Sequence, residues 1–339
     1  MNLVYIKSFS KSLKIRESRS TGSGKSNSGN EPEGGIMKFK GLNNGQRQAV
    51  ITKVCVAGRI PLPGAPDEEI LQGVLSGDLE IVVQKAMQIL FDRHGRRIPP
   101  RGLVAAVCDP NRDFRLDQPS LDYANRLARL EQAGLPAGIS AAEFEARASA
   151  LLLAISQNSR IKNLLNGVYL PIVIPQMDIA NLGEVTEKLV EAAGASYLQQ
   201  FPNRSFTNHR KGELAGQATI VSGSRYEQLL ACLDKGAVVG YFPACLQGFS
   251  VHAQREQMVA LPEDFILSGP LDAAIGWMMY PDILGRDFQT PGYDCSAVNW
   301  QLADYSLDFK ANDDVADFGY GAYLGRAYDY DSGGLLLLG

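Results

Sequence analysis

Ala218-Thr-Ile-Val221, Ser222-Gly223, Ser224-Arg-Tyr-Glu227, Gln228-Leu-Leu-Ala-Cys-Leu-Asp234, Lys235-Gly236 and Ala237-Val-Val-Gly-Tyr-Phe242 follow one another without a gap, and the fold turns on how they are read. The first group is a short apolar run with β-branched residues, the signature of a strand. Ser222-Gly223 supplies a turn. Ser224 and Glu227 stand at capping-box spacing, which predicts a helix from there to about Asp234. Lys235-Gly236 ends it, and Ala237 to Phe242 is a second apolar strand. Strand, helix and strand in this compass predict a βαβ unit with parallel strands and a right-handed crossover. The class expected is α/β, with a mixed α+β arrangement as the alternative.

Working outward, Val168 to Ile174 is a buried strand closed by Pro175, and Leu182, Val185, Leu189 and Ala192 recur at helical spacing. Towards the N-terminus the pattern from Asp67 to about Asn166 is mainly helical. Leu79, Val82, Val83, Ala86 and Leu90 mark one helix, Pro119 to Ala133 another. Ser140 and Glu143 form a capping box ahead of the stripe Phe144, Ala148, Leu151, Leu152 and Ile155. Towards the C-terminus, Tyr305 to Phe309 alternates like a strand with one exposed face. Gly319 to Tyr330 suggests turns or an edge hairpin, and Leu335 to Leu338 docks on the body. The organisation expected is a basic disordered tail over 1–36, a mainly helical region over 37–166, and an α/β domain over 167–339 with an acidic end.

Composition limits the classes of function. The 339 residues hold 33 Lys and Arg against 37 Asp and Glu, a net charge of −4 that requires neither nucleic acid nor membrane. No stretch approaches the ~20 apolar residues of a membrane span. Asp264 to Pro281 comes nearest and is broken by Ser268, Pro270 and Asp272. Five widely spaced cysteines (55, 108, 232, 245 and 295) form no CxxC, so no metal site is expected and the thiols read as reduced, in a cytoplasm. The Ser- and Gly-rich tail before Met37 carries six basic and three acidic residues; an over-long start or a presequence gives the same composition. Gly22-Ser-Gly-Lys-Ser26 imitates the end of a Walker A loop, but Arg19 stands where its first glycine belongs.

Candidate chemistry lies at strand ends and in charge blocks. Cys245, three residues past the second strand of the βαβ unit, could pair with His252; otherwise it is a small buried apolar group. Ser222, Gly223 and Ser224 open a helix after a strand and could cradle an anion on their N–H groups, with Gln247 nearby, though any tight turn uses the same residues. Asp178 is a further catalytic candidate. Arg96 and Arg97 in one basic run, and Arg204, Arg210 and Lys211 in another with Phe201 and Phe206 interleaved, have the ingredients of a nucleic-acid groove; solvated loops have them too. Seven aspartates between Asp304 and Asp331 lack the spacing of a calcium loop.

Three functions are carried forward. The first is a non-catalytic soluble binding or assembly protein, with a protein partner or a second copy of itself. The second is an enzyme acting on a small molecule at Asp178, Ser222 to Ser224 and Cys245, its cofactor unknown. The third is a nucleic-acid-binding subunit using Arg96, Arg97, Arg210 and Lys211.

Overall fold

The computed structural model describes residues 2–8, 79–85 and 88–339. The tail beyond residue 8, the start at Met37, the Walker-like string, the helix expected at Asp67 and Cys55 lie outside them. The chain divides into two units, Met1–Gln88 and Ile89–Gly339. In the first, β1 (Asn2–Ser8) pairs antiparallel with β2 (Leu79–Lys85), Val4 facing Val83 in the register. Both correct the sequence reading. Val4-Tyr-Ile6 gives the start of the tail a β-prone run, and Val82 and Val83, taken for part of a helix face, are β-branched with Ile81 beside them; so short an apolar run does not choose between the two.

In the second unit the helical expectations hold where caps were present. The helix α1 (Tyr123–Gln132) starts at Asp122, whose side chain accepts from Asn125 N. In α2 (Ala141–Gln157) Ser140 accepts from Glu143 N, and Phe144, Ala148, Leu151 and Ile155 are the buried stripe. β3 (Leu170–Ile174) and α3 (Leu182–Gln200) follow as expected. From residue 88 to 122 the chain is irregular, held by isolated bridges at Phe91–Arg97 and Val107–Phe249, so the helical region is less helical than the sequence suggests.

The remaining strands are β4 (Ser205–Asn208), β5 (Thr219–Ile220), β6 (Ala237–Phe242), β7 (Phe265–Leu267), β8 (Gly292–Asp294), β9 (Val298–Asn299), β10 (Tyr305–Ala311), β11 (Val315–Tyr323), β12 (Asp331–Gly333) and β13 (Leu335–Leu338). Between them run α4 (Tyr226–Cys232), α5 (Val251–Glu256), α6 (Pro270–Met279) and α7 (Pro281–Leu284). Among the described residues, seven α-helices with sheets of both parallel and antiparallel pairing place the chain in the α/β class. The particular βαβ unit, however, is not formed. β5 pairs antiparallel with β9 in a two-stranded ribbon, while β6 belongs to a four-stranded sheet of order β3-β6-β13-β7, antiparallel throughout. Parallel pairing occurs in the five-stranded sheet of order β12-β8-β10-β11-β4, between β12 and β8 and between β11 and β4. The local strings were right for strand, helix and strand. What they could not carry is the choice of partner, because Leu335 to Leu338 and Val298-Asn299 supply it from far along the chain.

Pro270 to Met279, part of the apolar stretch too interrupted for a membrane, is α6, buried on every side as a helix apolar all round must be. Tyr280, just after it, donates its hydroxyl to Pro171 O in β3 at 2.8 Å, and Trp277 stacks on Phe309 of β10 at 5.1 Å. α6 therefore joins both sheets. One continuous core also takes in Leu130, Phe144 and Ile155, so no break in packing falls at the expected 166/167 boundary. Among the described residues no helix is long and apolar enough to cross a membrane.

Candidate functional site

β10 reads Tyr305-Ser-Leu-Asp-Phe-Lys-Ala311, and strand alternation sends its side chains to two faces. Leu307, Phe309 and Ala311 enter the core, where Phe309 meets Trp277 and Phe318. Asp308 and Lys310 project from the opposite face. The register adds to them: Asp294 of β8 lies across from Asp308, while Asp317 and Gly319 of β11 lie across from Lys310 and Asp308. β12 sets Asp331 beside Gly292, where a Cβ would collide with the Asp331 carboxylate and come 3.2 Å from Lys310 Cε. One sheet face thus carries four aspartates and a lysine. Because the expected exposed face of β10 is covered, Asp308 is 2% exposed, and Asp294 and Asp331 are 3% each.

The electrostatics of this face follow from three carboxylates around one cation. Lys310 Nζ stands 2.9 Å from Asp308 Oδ2, an ion pair without an aligned hydrogen bond. Asp294 receives Gln254 Nε2 at 2.8 Å from α5, yet its Oδ1 and Asp331 Oδ1 have no donor. Burial raises the Asp308 carboxyl to about 6 against the pull of Lys310. Burial, then Asp331 and Asp308, raise Asp294 well above the carboxylate range. Asp331 is raised by burial, with Lys310 opposing. Burial alone would lower Lys310, but Asp308 and Asp331 outweigh it and the ammonium is held above its usual value. Lys310 occupies the space among the carboxylates. Among the described residues no set of three or more His, Cys, Asp or Glu side chains is placed to hold a metal ion.

Gln254 closes this face over β8 and β12: a Cβ at Gly333 would strike its amide. Over β10 and β11 the face opens into a cavity of about 360 Å³ lined by His209, Arg210, Asp308, Lys310, Asp317 and Tyr320. Gly321 forms part of its floor, and a Cβ there would lie 2.6 Å from Lys310 Nζ and 2.7 Å from Asp308 Oδ2. Arg210 lies over the rings of Trp300 and Tyr320, 5.3 and 4.6 Å from their centroids, and pairs with Glu213 at 2.6 Å. Asp317 is raised by burial, with His209 and Lys310 drawing it back. Two acids and three groups able to carry positive charge share one small polar cavity.

Of the catalytic, ligand and nucleic-acid candidates named in the sequence, Arg210 alone lines this cavity, joined by Asp308 and Asp317 of the acidic block. Cys245 is buried, donates to Phe242 O at 3.2 Å, and is raised to about 12 by burial, so it is no thiolate; His252 is exposed and the pair does not form. Asp178 is exposed, and neither it nor Ser224 lines the cavity that Cys245 borders. The proposed capping box is replaced: the N-cap of α4 is Arg225, in the left-handed region at φ 63°. Its guanidinium donates to the carbonyls of Met258, Leu261, Pro262 and Phe265, which overrides the side-chain cap. Ser222 and Gly223 are exposed, whereas Ser224 is buried, its N–H donating to Val221 O and its Oγ accepting from Tyr226 N. Gln247 donates to three carbonyls, of Asn111, Phe114 and Asp329, each at 3.0 Å.

The other cations also serve the fold. Arg97 is buried against Gln257 Oε1 and the carbonyls of Leu90 and Ile98. Arg204 caps Gly285 and Arg286 carbonyls and covers Phe201, and Lys211 pairs with Glu191 at 2.9 Å. Only Arg96 lines a second cavity, with Cys245 and Gln247. Asp294, Asp308, Lys310, Asp317 and Asp331 were missed as a site. Asp308-x-Lys310 between apolar neighbours, with Gly319-x-Gly321 in the next strand, is the signal that could have found them. The sequence matches no family model, no curated protein and no solved structure, so the functional reading rests on this geometry.

Proposed function

We propose that this chain is a binding protein for a small zwitterionic molecule of about amino-acid size, held on the open polar face of the five-stranded sheet. The observation that carries the reading is the cavity's mixed wall: Asp308 and Asp317 offer acceptors to an ammonium, while Arg210 and His209 offer donors to a carboxylate. Gly319 leaves part of the floor as bare backbone between His209 and Asp308, while Gly321 makes room for the Asp308–Lys310 pair itself. Tyr320 supplies an aromatic side against which an aliphatic part packs. This is the binding-protein expectation with a site attached to it.

Calorimetric titration with α-, β- and γ-amino acids tests it. Saturable binding of at least one of them is expected, weakened at least ~10-fold in Asp308→Asn and in Arg210→Gln, as for lost charge-assisted hydrogen bonds. No saturable heat across the panel, or equal affinity in both variants, would remove the proposal.

A further inference from the structure

A second cavity, of about 330 Å³, lies between the turn at Asp92–Arg96 and the carboxyl end of β6. Gly95 lies on its wall. At φ +78° its backbone packs against Gly167, where a side chain would collide, and His94 and Arg96 flank it on the same wall. The neutral polar groups of its wall are all engaged. Gln118 bonds Tyr169 in both directions, its Nε2 donating to the carbonyl at 3.0 Å and its Oε1 accepting from the N–H at 2.8 Å. Gln247 holds three carbonyls, and Asn166 donates to Arg93 O at 3.3 Å. The acid of the wall, Asp117, is paired with Arg286 at 2.8 Å.

Arg96 is the exception. Its guanidinium is half-buried and, among the described residues, makes no side-chain hydrogen bond and no ion pair within 4 Å. The nearby carboxylate, Asp92, already accepts the backbone N–H groups of His94 and Arg96 on Oδ1. Burial lowers the Arg96 value, and Arg112 nearby lowers it further against Asp92. Arg115, its side chain 71% exposed, stands on the same wall with only a 3.9 Å approach to Asp117. A partly desolvated guanidinium facing a cavity without a partner, with further cations around it, is the arrangement an oxyanion completes.

We propose that this cavity binds a small molecule bearing a phosphate monoester, with Arg96 as its principal ligand and Arg115 closing the rim. The volume is in the range of a small-ligand site and far below that of a groove for a nucleic-acid strand. The site is separate from the sheet-face cavity and shares no residue with it. Titration of the full chain at low salt with glycerol 3-phosphate, inorganic phosphate and a short oligothymidylate decides the matter. Glycerol 3-phosphate is expected to bind at one site. Affinity should fall at least tenfold in Arg96→Gln and several-fold in Arg115→Gln, and stay unchanged in Arg101→Gln, an exposed arginine outside the wall. Inorganic phosphate binding as tightly as the ester would narrow the ligand to the free anion and keep the site. Because Arg115 contributes only an exposed side chain, its variant reports even if Arg96→Gln does not fold. Absence of saturable binding, equal affinity in Arg115→Gln, or binding of the oligonucleotide without the monoester would overturn the proposal.

Discussion

At the scale of single residues, Lys310 is the group on which the polar sheet face depends. Asp294, Asp308 and Asp331 are nearly fully buried, and Lys310 is the cation that acts on all three. Removing one partner of such a set leaves uncompensated charge in a poor solvent for it, which costs more than the pair contributed. Lys310→Met is therefore expected to lower stability by about 3 kcal/mol at pH 7, as urea denaturation would measure. Adding Asp308→Asn to it should restore part of that loss, because one of the stranded charges disappears. A double variant no more stable than the single one would mean that Lys310 acts through its packing alone. The same residue explains the two glycines beside it: Gly292 and Gly321 leave the room that its methylene stem and ammonium occupy.

At the scale of elements, β13 does more than the docking expected of Leu335 to Leu338. It lies between β6 and β7, with Leu336 facing Tyr241 on one side and Ile266 on the other in the register. Leu336 is fully buried whereas Leu338, at the strand's end, is partly exposed. Leu336→Ala should cost about 2–5 kcal/mol and Leu338→Ala clearly less, read as a difference in urea midpoint. Equal losses would show that the strand is held by its backbone pairing more than by its core face. This element also marks what the sequence could disclose. Ser140 with Glu143, and the strings of β3, α3 and β6, were legible because cap, period and length are local. Strand partners were not, since the choice between β5 and β13 as the neighbour of β6 is made by contacts some hundred residues apart. The candidate site was hidden for the same reason. Asp294, Asp308 and Asp331 become one cluster only through the order β12-β8-β10, and Arg225 defeats an apparent capping box through carbonyls more than thirty residues away.

At the scale of the whole molecule, buried acids set how stability responds to pH. Asp272 in α6 accepts from Ser268 Oγ, from Tyr226 OH at 2.8 Å and from Gly269 N at 2.9 Å. Burial outweighs those bonds and raises it to about 6 from an ordinary 3.8. A carboxyl whose value is higher in the folded chain than in the unfolded one favours folding when protonated. Its contribution is complete below the unfolded value, near 4, and is lost as pH rises through 6. Asp308 acts in the same direction with a value of about 6, and Asp294 and Asp331 are raised as well. Ion-paired surface carboxylates oppose this on acidification, so the isolating comparison is with Asp272→Asn, which keeps the shape and removes the titration. Between pH 7 and pH 5 the wild-type chain should gain about 1 kcal/mol relative to Asp272→Asn, read from urea unfolding at the two pH values. The sign is the decisive part. A wild-type chain that loses stability relative to the variant on acidification would mean that Asp272 is ionised and stabilised where it lies, with its three hydrogen bonds winning over burial.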